Sequence, residues 1–303
     1  MSGRIHPSAA ANGPEPPSEK PSIEPTSILS LPDDLIVSCF ARVSRLYYPT
    51  LSLVSKRFRS LLASPDIYHA RSLLGRTESC LYVGLRSPPH HNLRWFTLCQ
   101  KPDQSLTKKK EKVKSSGNVL APVSVLGSPS VKWSDLFTVG PYLYAIPEPI
   151  EHGNVSVLDC RTHTWSDKPK ELIGEVVGLD TSFDLQCPGA CRVEDIIYYY
   201  NCSTDTIWTN NKTLCWRELE VLEGLPKFAR YTSVKMAEYR GKLVILWDKY
   251  VSKNGYKEKV IWCAQIALKR GIGKVIRGEV EWLDAVLTVP KSCKLVCAIA
   301  ATV

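Results

Sequence analysis

Histidine is scarce in this chain, with six in 303 residues, and those six are scattered. A metal cluster needs several such ligands at close spacing, so none is expected, and the His90-His91 pair falls in a Pro-rich turn. Catalytic signatures are missing as well. There is no Gly-x-Ser-x-Gly elbow, no HExxH and no phosphate-cradling Walker loop, so no catalytic residue is nominated. A run of about eighteen apolar residues is also missing, and no membrane span is expected. The first residues, MSGRIHPSAAANGPEPPSEKPSIEP, lack an apolar core and are rich in Pro, Ser and Glu. Residues 1–26 therefore read as a disordered leader and not as a secretory signal.

Cysteine is plentiful by contrast, with eleven, but no CxxC occurs. Several sit in apolar runs (Cys39, Cys263, Cys297), and without a signal peptide they read as reduced, buried small hydrophobes. Cys187 and Cys191, like Cys293 and Cys297, lie close in sequence, but no further Cys or His completes a zinc pattern. No cofactor or metal is expected. The sequons at Asn154, Asn201 and Asn211 stay silent unless the chain enters the secretory route. A cytoplasmic or nuclear location, or both, follows from the same features.

The net charge of +9 raises the question of nucleic acid. Its distribution answers against that. Between Lys101 and Lys114 six lysines face only Asp103 and Glu111, so a single segment supplies much of the excess. Such a run reads as a solvated Lys-rich loop near 101–118, with a nuclear-import signal as the functional alternative. No recognition motif or aromatic-interleaved basic strip accompanies it, and no nucleic-acid partner is expected.

The stretch from Ser27 to Leu62 has helical periodicity. Ser30 can cap a helix opening at Leu31-Pro32-Asp33-Asp34-Leu35, where Pro suits the first turn and the two Asp suit the positive helix end. Leu35, Ile36, Cys39, Phe40 and Val43 form one apolar stripe. Pro49 restarts the chain, and Leu51, Val54, Phe58, Leu61 and Leu62 form a second, with Lys56, Arg57 and Arg59 expected to face water. Ser64-Pro65-Asp66 opens a third helix that stops at Gly75. Two such helices bury little by themselves.

Leu31-Pro32-Asp33-Asp34-Leu35 followed by Leu53-Val54-Ser55-Lys56-Arg57-Phe58-Arg59 resembles the F-box, with Phe58 where that family more often has Trp. The resemblance implies a helical module over 27–75 that docks a Skp-type adaptor and, through it, a cullin scaffold. On the same resemblance Leu31, Pro32, Leu35, Ile36, Leu53 and Val54 are the adaptor-contacting residues. The competing reading is that these apolar groups pack on the chain's own β domain.

From about Ser79 the period changes to that of strands. Cys80–Leu85 and Arg94–Leu98 make a first pair. Tyr142–Ile146, Val155–Asp159 and Trp165 then recur as Ile196–Tyr200, Asp205–Trp208 and Trp216, and again as Lys242–Trp247, Lys259–Ala264 and Trp282. Each unit is an apolar strand, a polar loop, a second strand and a Trp, and the first strands start about 62, 54 and 46 residues apart. That spacing suits the blades of a β-propeller, in which the Trp residues wedge between neighbours.

The units resemble kelch repeats over residues 76–303, without the usual Gly-Gly pair. Pro147-Glu148, Asn201-Cys202 and Asp248-Lys249 stand in its place, so these turns must be made differently. The expected fold is α+β and multidomain: a small all-α module ahead of an all-β kelch-type propeller of four to five degenerate blades, a fifth being sought around residues 100–135. F-box plus degenerate kelch units resembles the plant F-box/kelch-repeat family. That family implies a non-catalytic substrate receptor of a Skp-cullin-F-box ubiquitin ligase whose propeller holds an unknown protein substrate. The alternative is a kelch scaffold acting outside a ligase. The residues of the substrate face are not legible.

Overall fold

The computed structural model describes residue 3 and residues 28–89, 93–101, 116–125, 136–146, 154–169, 190–210, 216–252, 255–270 and 276–303. The leader, most of the lysine run, His90-His91 and Pro147-Glu148 lie outside the described residues.

Helices come first, as the spacing predicts, but their boundaries differ. After a 3-10 turn at Ile28–Ser30, helix α1 spans Asp33–Phe40. Pro32 occupies its N-cap with φ −55° and ψ 151°, the place expected of Ser30 from sequence. Proline cannot donate at the helix entrance, and its fixed φ launches the first turn directly. The second stripe is not one helix. Helix α2 covers only Tyr48–Leu51, and α3 begins afresh at Lys56 and ends at Ala63. Between them Ser55 is fully extended (φ −158°, ψ 161°), and its hydroxyl accepts from Phe58 N at 3.0 Å. A serine N-cap holds a helix start more firmly than a continued helix would use that residue. Leu53 and Val54 are thereby left in the break. Helix α4, Pro65–Leu73, is capped by Ser64 and is followed by Gly75 at φ +59°, the left-handed exit expected.

Four sheets follow and form a four-blade β-propeller, all antiparallel except for the edge strand β12, which pairs with β16 in parallel. In chain order their strands are β1 (Ser79–Arg86), β2 (Leu93–Gln100), β3 (Asn118–Val123), β4 (Leu136–Val139), β5 (Tyr142–Ala145), β6 (Asn154–Asp159) and β7 (Thr164–Pro169). The chain continues with β8 (Ala190–Val193), β9 (Ile196–Asn201), β10 (Thr206–Asn210), β11 (Arg217–Glu218), β12 (Glu220–Glu223), β13 (Val234–Tyr239), β14 (Lys242–Tyr250), β15 (Glu258–Arg270), β16 (Ile276–Pro290) and β17 (Lys294–Thr302). The sheet orders are β17-β1-β2-β3, β4-β5-β6-β7, β8-β9-β10-β11 and β13-β14-β15-β16-β12. Among the described residues the stretch around 100–135 contributes β3 to the first blade, so no fifth blade is built there.

The strands read from sequence are the middle pair of each blade. The first strand of every blade was missed, and it comes from the segment before: β4, β8 and β13. In the first blade that place is taken by β17, which pairs with β1 from Ser79↔Thr302 to Arg86↔Lys294. One blade is therefore shared by the two ends of the propeller segment, and this strand exchange latches the ring.

Two turns share one local geometry, although Asp159–Thr164 joins the third and fourth strands of its blade and Asn201–Thr206 the second and third of its own. Asp159-Cys160-Arg161-Thr162-His163-Thr164 and Asn201-Cys202-Ser203-Thr204-Asp205-Thr206 place a positive φ at the same point, His163 at 59° and Asp205 at 55°. Their threonine hydroxyls also pair alike, Thr162 with Thr164 at 2.8 Å and Thr204 with Thr206 at 2.6 Å. Where a Gly-Gly turn was sought, Asn201-Cys202 opens this turn, and Asp248-Lys249 simply continues strand β14.

Apolar layers fill the spaces between sheets. Leu81, Val83 and Leu85 pack with Val244, Leu246 and Cys263, which joins the first blade to the fourth. Ile207 and Tyr198 pack with Leu243, Ile245 and Ile266, which joins the third to the fourth. Of the repeat tryptophans, Trp165 and Trp282 pack against such cores, as expected. Trp216 does not wedge in; it is 36% exposed and meets Tyr199 edge-on. The nine described cysteines carry free thiols, six of them buried. Burial pushes Cys99, Cys160 and Cys297 up to about 12, so they stay protonated and unreactive at neutral pH.

Candidate functional site

The helical module has two unlike faces. Its inner face (Ile36, Val37, Phe40, Tyr48, Phe58, Leu62, Ile67 and Tyr68) shares one core with Tyr82 of the first blade, Leu143 and Leu158 of the second, and Ala301 and Val303 of the latch strand. The competing reading offered by the sequence thus holds for part of the set: some of the apolar residues do pack on the chain's own blades.

A polar weld secures this contact. The Arg71 guanidinium, 3% exposed, pairs with Glu78 at 2.9 Å and donates to Val43 O at 2.8 Å and to the Tyr48 hydroxyl at 3.1 Å. Glu78 also accepts from the Ser44 hydroxyl, from Arg45 N and from Arg240 of the β13–β14 turn. Its backbone N–H and C=O pair with Val303 at 2.7 and 2.9 Å. Beside it Tyr82 donates to Cys160 O at 2.8 Å, so the contact of its hydroxyl with His163 Nε2 at 3.1 Å requires that nitrogen to carry the proton.

On the outer face, large apolar side chains are left in solvent. Leu35 is 49% exposed, Leu53 71% and Val54 58%, and Pro32 lies open beside them on the chain. Arg57, expected to face water, instead spans the module. It pairs with Asp33 at 2.6 Å and donates to Leu31 O at 2.6 Å. This sets the start of α1 against the first turn of α3, which directly follows Leu53 and Val54. Of the six adaptor-contacting residues nominated from sequence, Pro32, Leu35, Leu53 and Val54 are outward. Leu31 is partly buried against the core, and Ile36 is wholly buried in it.

Strand direction fixes where the rest of the propeller faces. The helices rest on the end of the ring that carries the Cys160–His163 and Arg240–Gly241 turns. Strand β14 leaves Gly241 and rises about 3.3 Å per residue, so Asp248 lies more than about 20 Å away on the opposite rim. That rim carries residues 224–233, 251–252, 255–257 and 291–293. Among the described residues no three His, Cys, Asp or Glu side chains converge as metal ligands.

Known proteins supply the remaining context. Residues 28–70 match the family model of the F-box domain, and residues 168–287 match that of the FKB95 kelch-repeats domain. The chain is similar to a putative F-box/kelch-repeat protein of Arabidopsis thaliana, 44% identical over 94% of this chain and 99% of the relative. A second F-box/kelch-repeat protein of that plant is 45% identical over 90% of this chain and 95% of its own length. The first alignment runs over 367 positions, against 303 residues here, so the relative carries segments that this chain lacks.

Proposed function

Because the chain belongs to the plant F-box/kelch-repeat family, we propose that it is the substrate-recognition subunit of a Skp-cullin-F-box ubiquitin ligase, working in the cytosol or the nucleus. F-box domains dock Skp-type adaptors and kelch propellers hold proteins, which together fit a substrate-adaptor role. The chain's own contribution is proximity: a held target lysine near ubiquitin carried by another subunit gains effective concentration without chemistry from this protein.

One observation carries the reading. A module whose inner face is already buried still exposes Pro32, Leu35, Leu53 and Val54. An apolar cluster left in water on a folded chain marks an interaction surface. A protein interface of about 1,600 Å² depends on a few central side chains of this kind. Ile36 supports the module from behind and does not touch the adaptor in this proposal.

The test is co-purification with a Skp-type adaptor. Leu53→Ala with Val54→Ala abolishes it while the melting temperature stays near that of the parent, since both side chains are solvent-exposed. Ile36→Ala lowers the melting temperature instead. If the unaltered chain captures no adaptor, or the Leu53/Val54 variant captures it undiminished, the ligase assignment fails and a free-standing kelch scaffold takes its place.

A further inference from the structure

On the rim away from the helices, a pocket of about 380 Å³ opens between the 224–233 loop and the adjoining ends of β14 and β15. Its walls are aromatic: Phe228, Tyr231, Trp247 and Trp262. The two indoles stack at 6.4 Å and 12°, and Phe228 lies 5.2 Å from Trp247. Tyr231 stands at the mouth, 72% exposed, against Tyr250 at 5.6 Å.

The pocket is held open by polar ties. Phe228 N donates to Asp205 of the third blade at 3.1 Å, and the Tyr200 hydroxyl donates to the same carboxylate at 2.8 Å. At the loop's other end Ser233 N donates to Asp248 at 2.7 Å, and the Ser233 hydroxyl donates to Leu295 O at 3.0 Å. Asp248, 5% exposed, is neutralised by Lys259 at 2.8 Å. A loop pinned at both ends keeps its shape without a ligand, and this lowers the ordering cost of binding.

The exposed charges beside the pocket are cationic, while the half-buried Asp205 carboxylate is occupied by Phe228 N and the Tyr200 hydroxyl. Lys227, Arg230, Lys249, Lys257, Lys291 and Lys294 are all exposed on these loops or their strand ends. Lys291 N bonds Lys257 O at 2.9 Å, which brings two of the loops side by side. Of the carboxylates on these loops, Asp248 is buried and already paired, and Glu258 is half-buried and has a partner. An apolar slot ringed by cations selects a ligand with an apolar centre and an anionic border.

We propose that this pocket receives an aromatic side chain of an acidic polypeptide segment, its ring entering between Phe228 and Trp262 and its flanking carboxylates meeting the lysine rim. This rests on the substrate-receptor reading and deepens it by naming the site and the chemistry of the target. A single-stranded nucleic acid is the lesser fit. Base stacking wants a row of open ring faces, whereas Trp247 is 3% exposed and forms a floor.

The probe is a fluorescein-labelled peptide of glutamates around one central tryptophan, followed by anisotropy on the full chain. Affinity falls at least about tenfold when the tryptophan becomes glycine, or when the glutamates become lysines. It falls by a similar factor in Tyr231→Ala and in Lys227→Glu with Lys249→Glu, all exposed positions that leave the fold intact. Equal binding of the tryptophan-free or lysine peptide overturns the proposal, as does binding that ignores the variants. Tighter, Tyr231-dependent binding of labelled oligo-dT overturns it in favour of nucleic acid. Adaptor capture is read on the same samples. The rim variants keep it, whereas Leu53→Ala with Val54→Ala loses it and still binds peptide, so the two readings fail separately.

Discussion

Arg71 is the side chain on which the union of helices and blades turns. Its charge is buried against Glu78, and its Nη1 donates to the Val43 and Ala41 carbonyls and to the Tyr48 hydroxyl. Removing one partner of a buried pair costs about 3–5 kcal/mol, and because Glu78 keeps Arg240, the Ser44 hydroxyl and Arg45 N, the low end of that range applies. Arg71→Ala is expected to lose that much in urea unfolding, and Arg71→Lys recovers only part, since a single ammonium cannot repeat the planar fork. His163 gives a second expectation. Burial first, and the nearby Arg45 next, hold its imidazole down to about 4, while Asp159 pulls weakly the other way. The unfolded chain takes up that proton near 6.5, so the folded form is at full strength above this value and weakens as pH falls from about 6.5 toward about 4. The slope is about 1.4 kcal/mol per pH unit. Urea midpoints at pH 7 and pH 5 test this, and His163→Asn, which tolerates the positive φ, flattens the difference. Neither role was legible in sequence. Arg71 and His163 are unremarkable there, because their partners at 78, 82 and 160 meet them only through the fold.

At the scale of elements, the lesson is in what periodicity can and cannot resolve. The middle strands β5, β6, β9, β10, β14 and β15 were read correctly because both faces are covered and the sequence is densely apolar. The first strands β4 and β8, Leu-Phe-Thr-Val and Ala-Cys-Arg-Val, are four residues long and mostly half-buried, so they carry no pattern of their own. By its spacing Val54 belongs to a helical stripe, yet Ser55 ends that continuity by capping α3. Ser55→Ala is expected to cost about 1 kcal/mol, seen in chemical denaturation, and to weaken adaptor capture because it loosens the exposed turn. In the first blade, Gly84 sits where the β1–β17 register shifts, and a Cβ there would meet Cys297 Sγ at 2.6 Å. Gly84→Ala therefore destabilises by roughly 1–3 kcal/mol. Adding Cys297→Ala restores much of it; if the double variant is no better than the single, the clash is not the cause.

For the whole molecule, the helical module and the propeller were legible as separate units, but their fusion was not. A shared core with members from residue 36 to residue 303 has no signature in local spacing. The relative whose alignment spans 367 positions carries more residues than this chain, an excess larger than one kelch repeat of about 50 residues. A ring of few blades leaves each sheet a greater share of the closure, and here the latch strand supplies it. Deleting residues 294–303 removes the buried Leu295, Cys297, Ala301 and Val303. It is expected to abolish both the cooperative unfolding transition and adaptor capture, whereas a truncation confined to a blade-edge loop would spare the second.

That arrangement has a consequence for the order of events on the ribosome. Ile36, Phe40 and Ile67 emerge early, but Ala301 and Val303, which line the same core, are translated long after them. The helices must therefore wait, incomplete, until strand β17 swings back beneath them. A nascent chain, or one broken before that strand, would lack the finished helical face on which the proposed docking depends.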